Sequence, residues 1–130
     1  MKTIKFILAL AFLLPMVAFS QGNVKKVEVY YFHNTSRCVT CQTVEAEAKQ
    51  NIETLYPDFV KRGDMSFASL NLEEENGKSL AKKLGVSGQT LLLVRGEKKV
   101  DITNEGFLYA RTNPAKFKKI IKEKVDKLLE

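Results

Sequence analysis

The sequence predicts an α/β domain, a central mixed sheet of about four strands in the order β-α-β-α-β-β-α with helices on both faces. Three observations predict it. Val27-Glu28-Val29-Tyr30-Tyr31-Phe32 is β-branched or aromatic almost throughout, as a central strand buried on both sides requires. Cys41, Val44, Ala48, Ile52 and Leu55 then recur at three- and four-residue spacing, which gives one helix an apolar face to lay on the sheet. Later, Thr90–Val94 and Lys99–Thr103 flank a turn at Gly96, the pattern of a hairpin closing the sheet.

The remaining elements follow in order. Gln21 to Lys26 is a polar lead-in. His33-Asn34-Thr35-Ser36 turns the chain out of the first strand, and Thr35 or Ser36 is expected to cap the coming helix. Tyr56-Pro57 ends that helix, because proline disfavours helical geometry in the residue before it. After a charged turn, Lys61 to Asp64, the stretch Ser66–Leu72 reads as the second strand. Glu73-Glu74-Glu75 is a solvated cluster leading into a short helix, Lys78 to Leu84, stopped by Gly85. Three adjacent carboxylates cannot all face one ion without further ligands, so no metal site is read there. Asn104-Glu105-Gly106 reads as a turn. Asn113-Pro114 opens a last helix to about Leu129, with Phe117, Ile120, Ile121, Val125 and Leu128 as its stripe.

With 130 residues and an apolar share of 45%, the chain has enough for one modest core. Residues 1–20 are expected to stand outside it as a secretory signal peptide. Lys2 and Lys5 precede the apolar run Phe6 to Phe19, and Ala18 and Ser20 place small residues before a cut at Gln21. That run is shorter than the ~20 residues of a spanning helix, so no stable membrane anchor is expected after cleavage of the signal. The domain proper is then 21–130, periplasmic or secreted. Losing Lys2 and Lys5 lowers the formal charge from +6 to +4. Without an arginine or aromatic stripe, that balance does not indicate nucleic acid. The six lysines from Lys116 to Lys127 read first as a solvated helix face, and second as a surface for docking a partner.

Function concentrates at the chain's two cysteines, Cys38 and Cys41, which lie between the first strand and the first helix. A strand that leads through a cysteine pair into a helix is a dithiol redox site in compact form. Cross-linking so short a loop removes little unfolded-state entropy, which speaks against a purely structural bridge, even in an oxidising compartment. Zinc usually takes four protein ligands, and the chain adds only His33 to the pair. No flavin or nicotinamide fingerprint is present, and no cofactor is expected.

That element order with its cysteine pair resembles the thioredoxin superfamily across residues 24–129. Asn71-Leu72-Glu73-Glu74 is similar to the end of a family strand. Leu84 to Val94 is similar to the segment that passes beneath the family's active site. More narrowly, Tyr30-Tyr31-Phe32-His33 and the exported length resemble small bacterial proteins labelled as the nitrophenyl compound nitroreductase subunit family. The superfamily resemblance implies thiol–disulfide exchange, with Cys38 as nucleophile and Cys41 as the resolving thiol. It also implies that Gly88, Gln89 and Thr90 line the substrate site, to which Arg37, beside Cys38, is added as a candidate. Three departures stand out. Val39-Thr40 matches neither the thioredoxin nor the disulfide-isomerase pair, Phe32 replaces the buried acid, and Gln89 replaces the cis-proline. Gln89 should follow a trans peptide, since a cis bond before a non-proline residue costs about 2.5–4 kcal/mol.

The helix start should favour the Cys38 thiolate through its free N–H groups and its dipole, and Arg37 could add to this. His33 reads as a polar cap on its strand and, second, as a proton shuttle. The competing functional class is a binding module. Its cysteine pair, unshielded by proline, would hold a soft metal or serve a partner-docking subunit without turnover. The redox partner, a protein or a small thiol, is not legible in the sequence.

Overall fold

The computed structural model describes residues 25–130, so the expected signal peptide and most of the lead-in lie outside the described residues. Nine elements follow in order: β1 Val27–His33, α1 Val39–Leu55, α2 Pro57–Arg62, β2 Met65–Asn71, α3 Glu75–Leu84, β3 Thr90–Arg95, β4 Lys98–Asp101, α4 Thr103–Tyr109 and α5 Pro114–Leu129. They build the mixed four-stranded sheet expected, in the order β2-β1-β3-β4. Only the first crossover joins parallel strands. β1 and β2 run parallel, whereas β3 is antiparallel to β1 and β4 is antiparallel to β3. The hairpin turns at Gly96, φ 61°, with no positive φ at Glu97; this is the glycine-first turn whose twist matches the strands.

Strand alternation sends Val27, Val29 and Tyr31 of β1 into the main core, beneath α1 and α5. Met65, Leu91 and Leu93 meet Val44, Ala48, Ile52, Phe117, Ile121 and Val125 there, all essentially inaccessible to water. The predicted stripes of α1 and α5 thus pack side by side on the same face of the sheet. On the opposite face, Phe32, Leu92 and Val94 are buried, α3 packs against β2, and Leu84 and Val86 border a groove that Leu92 also lines. Helices therefore cover both faces, unequally. Among the described residues no helix is long and apolar enough to cross a membrane.

Three local expectations change. Neither Thr35 nor Ser36 caps α1; Cys38 itself is the cap, with extended backbone and its Sγ accepting from the Cys41 N–H at 3.2 Å. Tyr56-Pro57 does end α1, but the proline also opens α2, where its missing N–H costs nothing at a first helical position. Asn104-Glu105-Gly106 is not a turn but the middle of α4. Asp101 Oδ1 starts that helix by accepting from the Thr103 N–H at 2.9 Å, ending β4 two residues short of the expected Thr103. Gly106 is there for packing: a Cβ would press on Val44 Cγ1 at 3.0 Å and Phe117 Cζ at 3.4 Å.

Candidate functional site

The site forms where β1 delivers the chain to α1. His33 ends β1 level with Asn71 of β2, and its carbonyl accepts from the Leu72 N–H at 2.7 Å. The loop that follows is held from the β2 side. Thr35 Oγ1 accepts from Asn71 Nδ2 at 2.9 Å, and the Thr35 N–H donates to Glu73 Oε1 at 3.2 Å. Hydrogen bonding from the Thr35 hydroxyl and then from its N–H holds the Glu73 carboxyl below the usual carboxylate range. Arg37 folds back onto Glu45, an ion pair in which each side chain keeps about a quarter of its exposure, 26% and 23%. The loop thus arrives at Cys38 with its direction fixed.

Cys38 and Cys41 form a disulfide with Cα atoms 5.2 Å apart. Their surroundings differ sharply. Cys38 is exposed, whereas Cys41 is 4% exposed on the face of α1 that also carries Val44 and Ala48. As the cap, Cys38 places its sulfur where a serine hydroxyl would sit, receiving an N–H of the first turn. α1 has no acidic residue in that turn, so nothing there opposes a negative charge on the sulfur. Cys38 thus presents its sulfur to solvent at the helix start, and Cys41 turns its sulfur towards the interior.

Across from the pair runs the loop between α3 and β3. Its Gly88–Gln89 peptide is trans, as no peptide bond among the described residues is cis. Gln89 Oε1 lies 3.7 Å from Cys41 Sγ, and Thr90 Oγ1 donates to the Gly88 carbonyl at 2.9 Å. The loop therefore borders the disulfide, while Arg37 turns to Glu45. His33 is buried, its Nδ1 2.9 Å from the Asn34 carbonyl, and it bonds neither sulfur. Two contributors to the site had no sequence signal: Glu45, and Arg111 beyond α4, whose Nη1 donates to Thr40 Oγ1 at 3.3 Å. Both are long-range or longer-than-local pairings that no spacing rule exposes. Among the described residues no group of three His, Cys, Asp or Glu side chains is placed to hold a metal.

This architecture has a counterpart among solved structures. Thioredoxin O2 from Arabidopsis thaliana, in its oxidised state, aligns with a TM-score of 0.51 and 18% identity over 76% of this chain and 75% of that one. The chain has the thioredoxin fold. Two further structures align more loosely. A malarial protein gives a TM-score of 0.42 at 21% identity, covering 58% of this chain and 75% of that one. Thioredoxin f2 from Chlamydomonas reinhardtii gives 0.37 at 20%, covering 65% and 74%. No protein-family model and no curated protein sequence matches the chain. The narrower resemblance to the nitroreductase subunit family has no counterpart in these comparisons.

Within the thioredoxin fold the three departures acquire positions. Val39, between the cysteines, is 64% exposed beside the disulfide. Phe32 is wholly buried, paired with Thr90 across the β1–β3 ladder, at the position where the superfamily resemblance places an acid. Gln89 stands against Cys41 where the resemblance places a proline ring.

Proposed function

We propose that this chain is an exported thiol–disulfide oxidoreductase that exchanges its Cys38–Cys41 couple with protein or small-thiol partners. The observation that carries the reading is the asymmetry of the pair: an exposed sulfur capping a helix, joined to a buried sulfur one turn along. In the reducing direction, the Cys38 thiolate attacks one sulfur of a substrate disulfide. A mixed disulfide forms and the substrate's other sulfur leaves as a thiolate. Cys41, losing its proton, then attacks Cys38 Sγ, and the partner's remaining sulfur departs and takes up a proton. Two electrons have passed from the dithiol to the substrate. The reverse sequence oxidises a partner dithiol, and a dithiol or disulfide of the opposite poise resets the couple. Export is supported by the basic, then apolar, then small-residue pattern of residues 1–20.

The test is trapping. Cys41→Ser should accumulate a mixed disulfide between Cys38 and its partner, because the resolving attack is gone. Cys38→Ser should accumulate none. Trapping by Cys38→Ser alone would reverse the assignment. No trapping by either variant, with metal bound to reduced wild-type protein, would replace it by the binding module.

A further inference from the structure

Cys41 has a problem that Cys38 does not. It is buried in the first turn of α1, on the face that also carries Val44 and Ala48. Yet it must become an anion to resolve a mixed disulfide, and burial disfavours that charge. The charged groups near the site are paired elsewhere, and the titratable groups of β1 bond neither sulfur. Glu45, one turn along α1, is paired with Arg37. From β1, the His33 Nδ1 faces the Asn34 carbonyl, and the Tyr31 hydroxyl is buried without a partner. Arg111, after α4, bonds Thr40, and Asp101, after β4, bonds Thr103. None of them reaches either sulfur.

The side chain that does reach Cys41 is neutral. Gln89 Oε1 is 3.7 Å from Cys41 Sγ, within sulfur hydrogen-bond range, and the trans loop carrying it is braced by the Thr90 hydroxyl on the Gly88 carbonyl. A carboxamide offers an acceptor at Oε1 and two donors at Nε2. In the dithiol, Oε1 can accept from the Cys41 S–H. Once that proton has left, rotation of the amide presents N–H to the thiolate. We propose that Gln89 is the positioning residue for Cys41, holding its sulfur in both protonation states and lowering the barrier to the resolving attack. This rests on the exchange reading of the pair and names the group that supports its second step. Gln89 gains and loses no proton itself. In the step it supports, the Cys41 proton passes through solvent to the departing partner sulfur, and the Cys41–Cys38 bond replaces the Cys38–partner bond.

The test uses the Cys38→Ser background of the full domain, where serine keeps the cap of α1 and Cys41 is the sole thiol. The pH dependence of its thiolate absorbance and alkylation rate is measured with Gln, Leu and Glu at position 89. Gln89→Leu should shift the Cys41 transition upward and slow alkylation at fixed pH by about tenfold or more, since a hydrogen bond to a charged group is removed. Gln89→Glu should shift it upward as well, because a carboxylate repels the anion. It also keeps the test decisive if the leucine variant does not fold. Unchanged transitions in the variants that fold would overturn the proposal. These readouts involve no partner. A Gln89-dependent Cys41 in a protein that traps no mixed disulfide would therefore sink the exchange reading and leave the positioning role standing.

Discussion

The two sulfurs of the disulfide belong to two differently built regions. Cys38 ends a loop, residues 34–38, that is fixed from several sides: by Asn71 and Glu73 on Thr35, by Glu45 on Arg37, and by the first turn of α1. Cys41 faces a loop, residues 86–90, that meets it through a single side chain, Gln89. The lesson is a division of means. Backbone groups and a helix end prepare the first thiol, which any sequence with this strand–cysteine–helix order would share. One neutral side chain, the Gln89 amide, meets the second.

The largest effect should come from the joint that holds the Cys38 loop. Gly77 lies at the start of α3, and any Cβ there would land on the Asn71 carbonyl. Main chain cannot swing aside as a side chain does. Gly77→Ala should therefore destabilise the domain by about 3 kcal/mol or more, seen as a lower urea midpoint. A midpoint within experimental error of wild type would mean that α3 does not brace this joint. Smaller is the loss from Asn71→Ala, which removes the Thr35 partner. About 1 kcal/mol is expected, together with a measurable change in the Cys38 alkylation rate but none at Cys41. Equal changes at both thiols would erase the distinction between the two regions.

Acid should act on the same loop. The Glu73 carboxyl is held down by its bonds to Thr35, so its folded-state pKa lies below the unfolded value. Its contribution is present above the unfolded pKa and is lost as pH falls through the folded one. The protection of the Thr35 amide against exchange, measured by NMR relative to its intrinsic rate at each pH, should fall as pH is lowered through and below the carboxylate range in wild type and should already be lost in Glu73→Ala. A protection factor that does not change with pH would show that the bond does not hold the loop. The smallest effect, and the control, is Tyr31→Phe. The Tyr31 hydroxyl is buried with no partner, so removing it should be neutral or stabilising by up to about 1 kcal/mol, with both thiols unchanged.

Much of this was legible in the chain. β1, β3, the stripe of α1 and the capped start of α5 announce themselves through local periodicity and cap chemistry. The cysteine pair did so as well, and the placement of Gln89 beside it followed from the thioredoxin resemblance. What escaped was tertiary. Asn104-Glu105-Gly106 has the composition of a turn, and becomes helix because Gly106 lets α4 approach Val44 and Phe117. Thr35 is a good cap by type, but Asn71 and Glu73 recruit it, leaving Cys38 to cap α1. The pairings Arg37–Glu45 and Arg111–Thr40 depend on where two elements meet, which no spacing rule supplies.

The most direct measurement of the central claim is the alkylation of each thiol in the fully reduced wild-type protein, resolved by peptide mass spectrometry from mildly acidic to alkaline pH. The helix cap should make Cys38 react at neutral pH, with a transition below the ~8.5 of a free thiol, while Cys41 resists until higher pH. Equal rates and coincident transitions at the two cysteines would contradict the account.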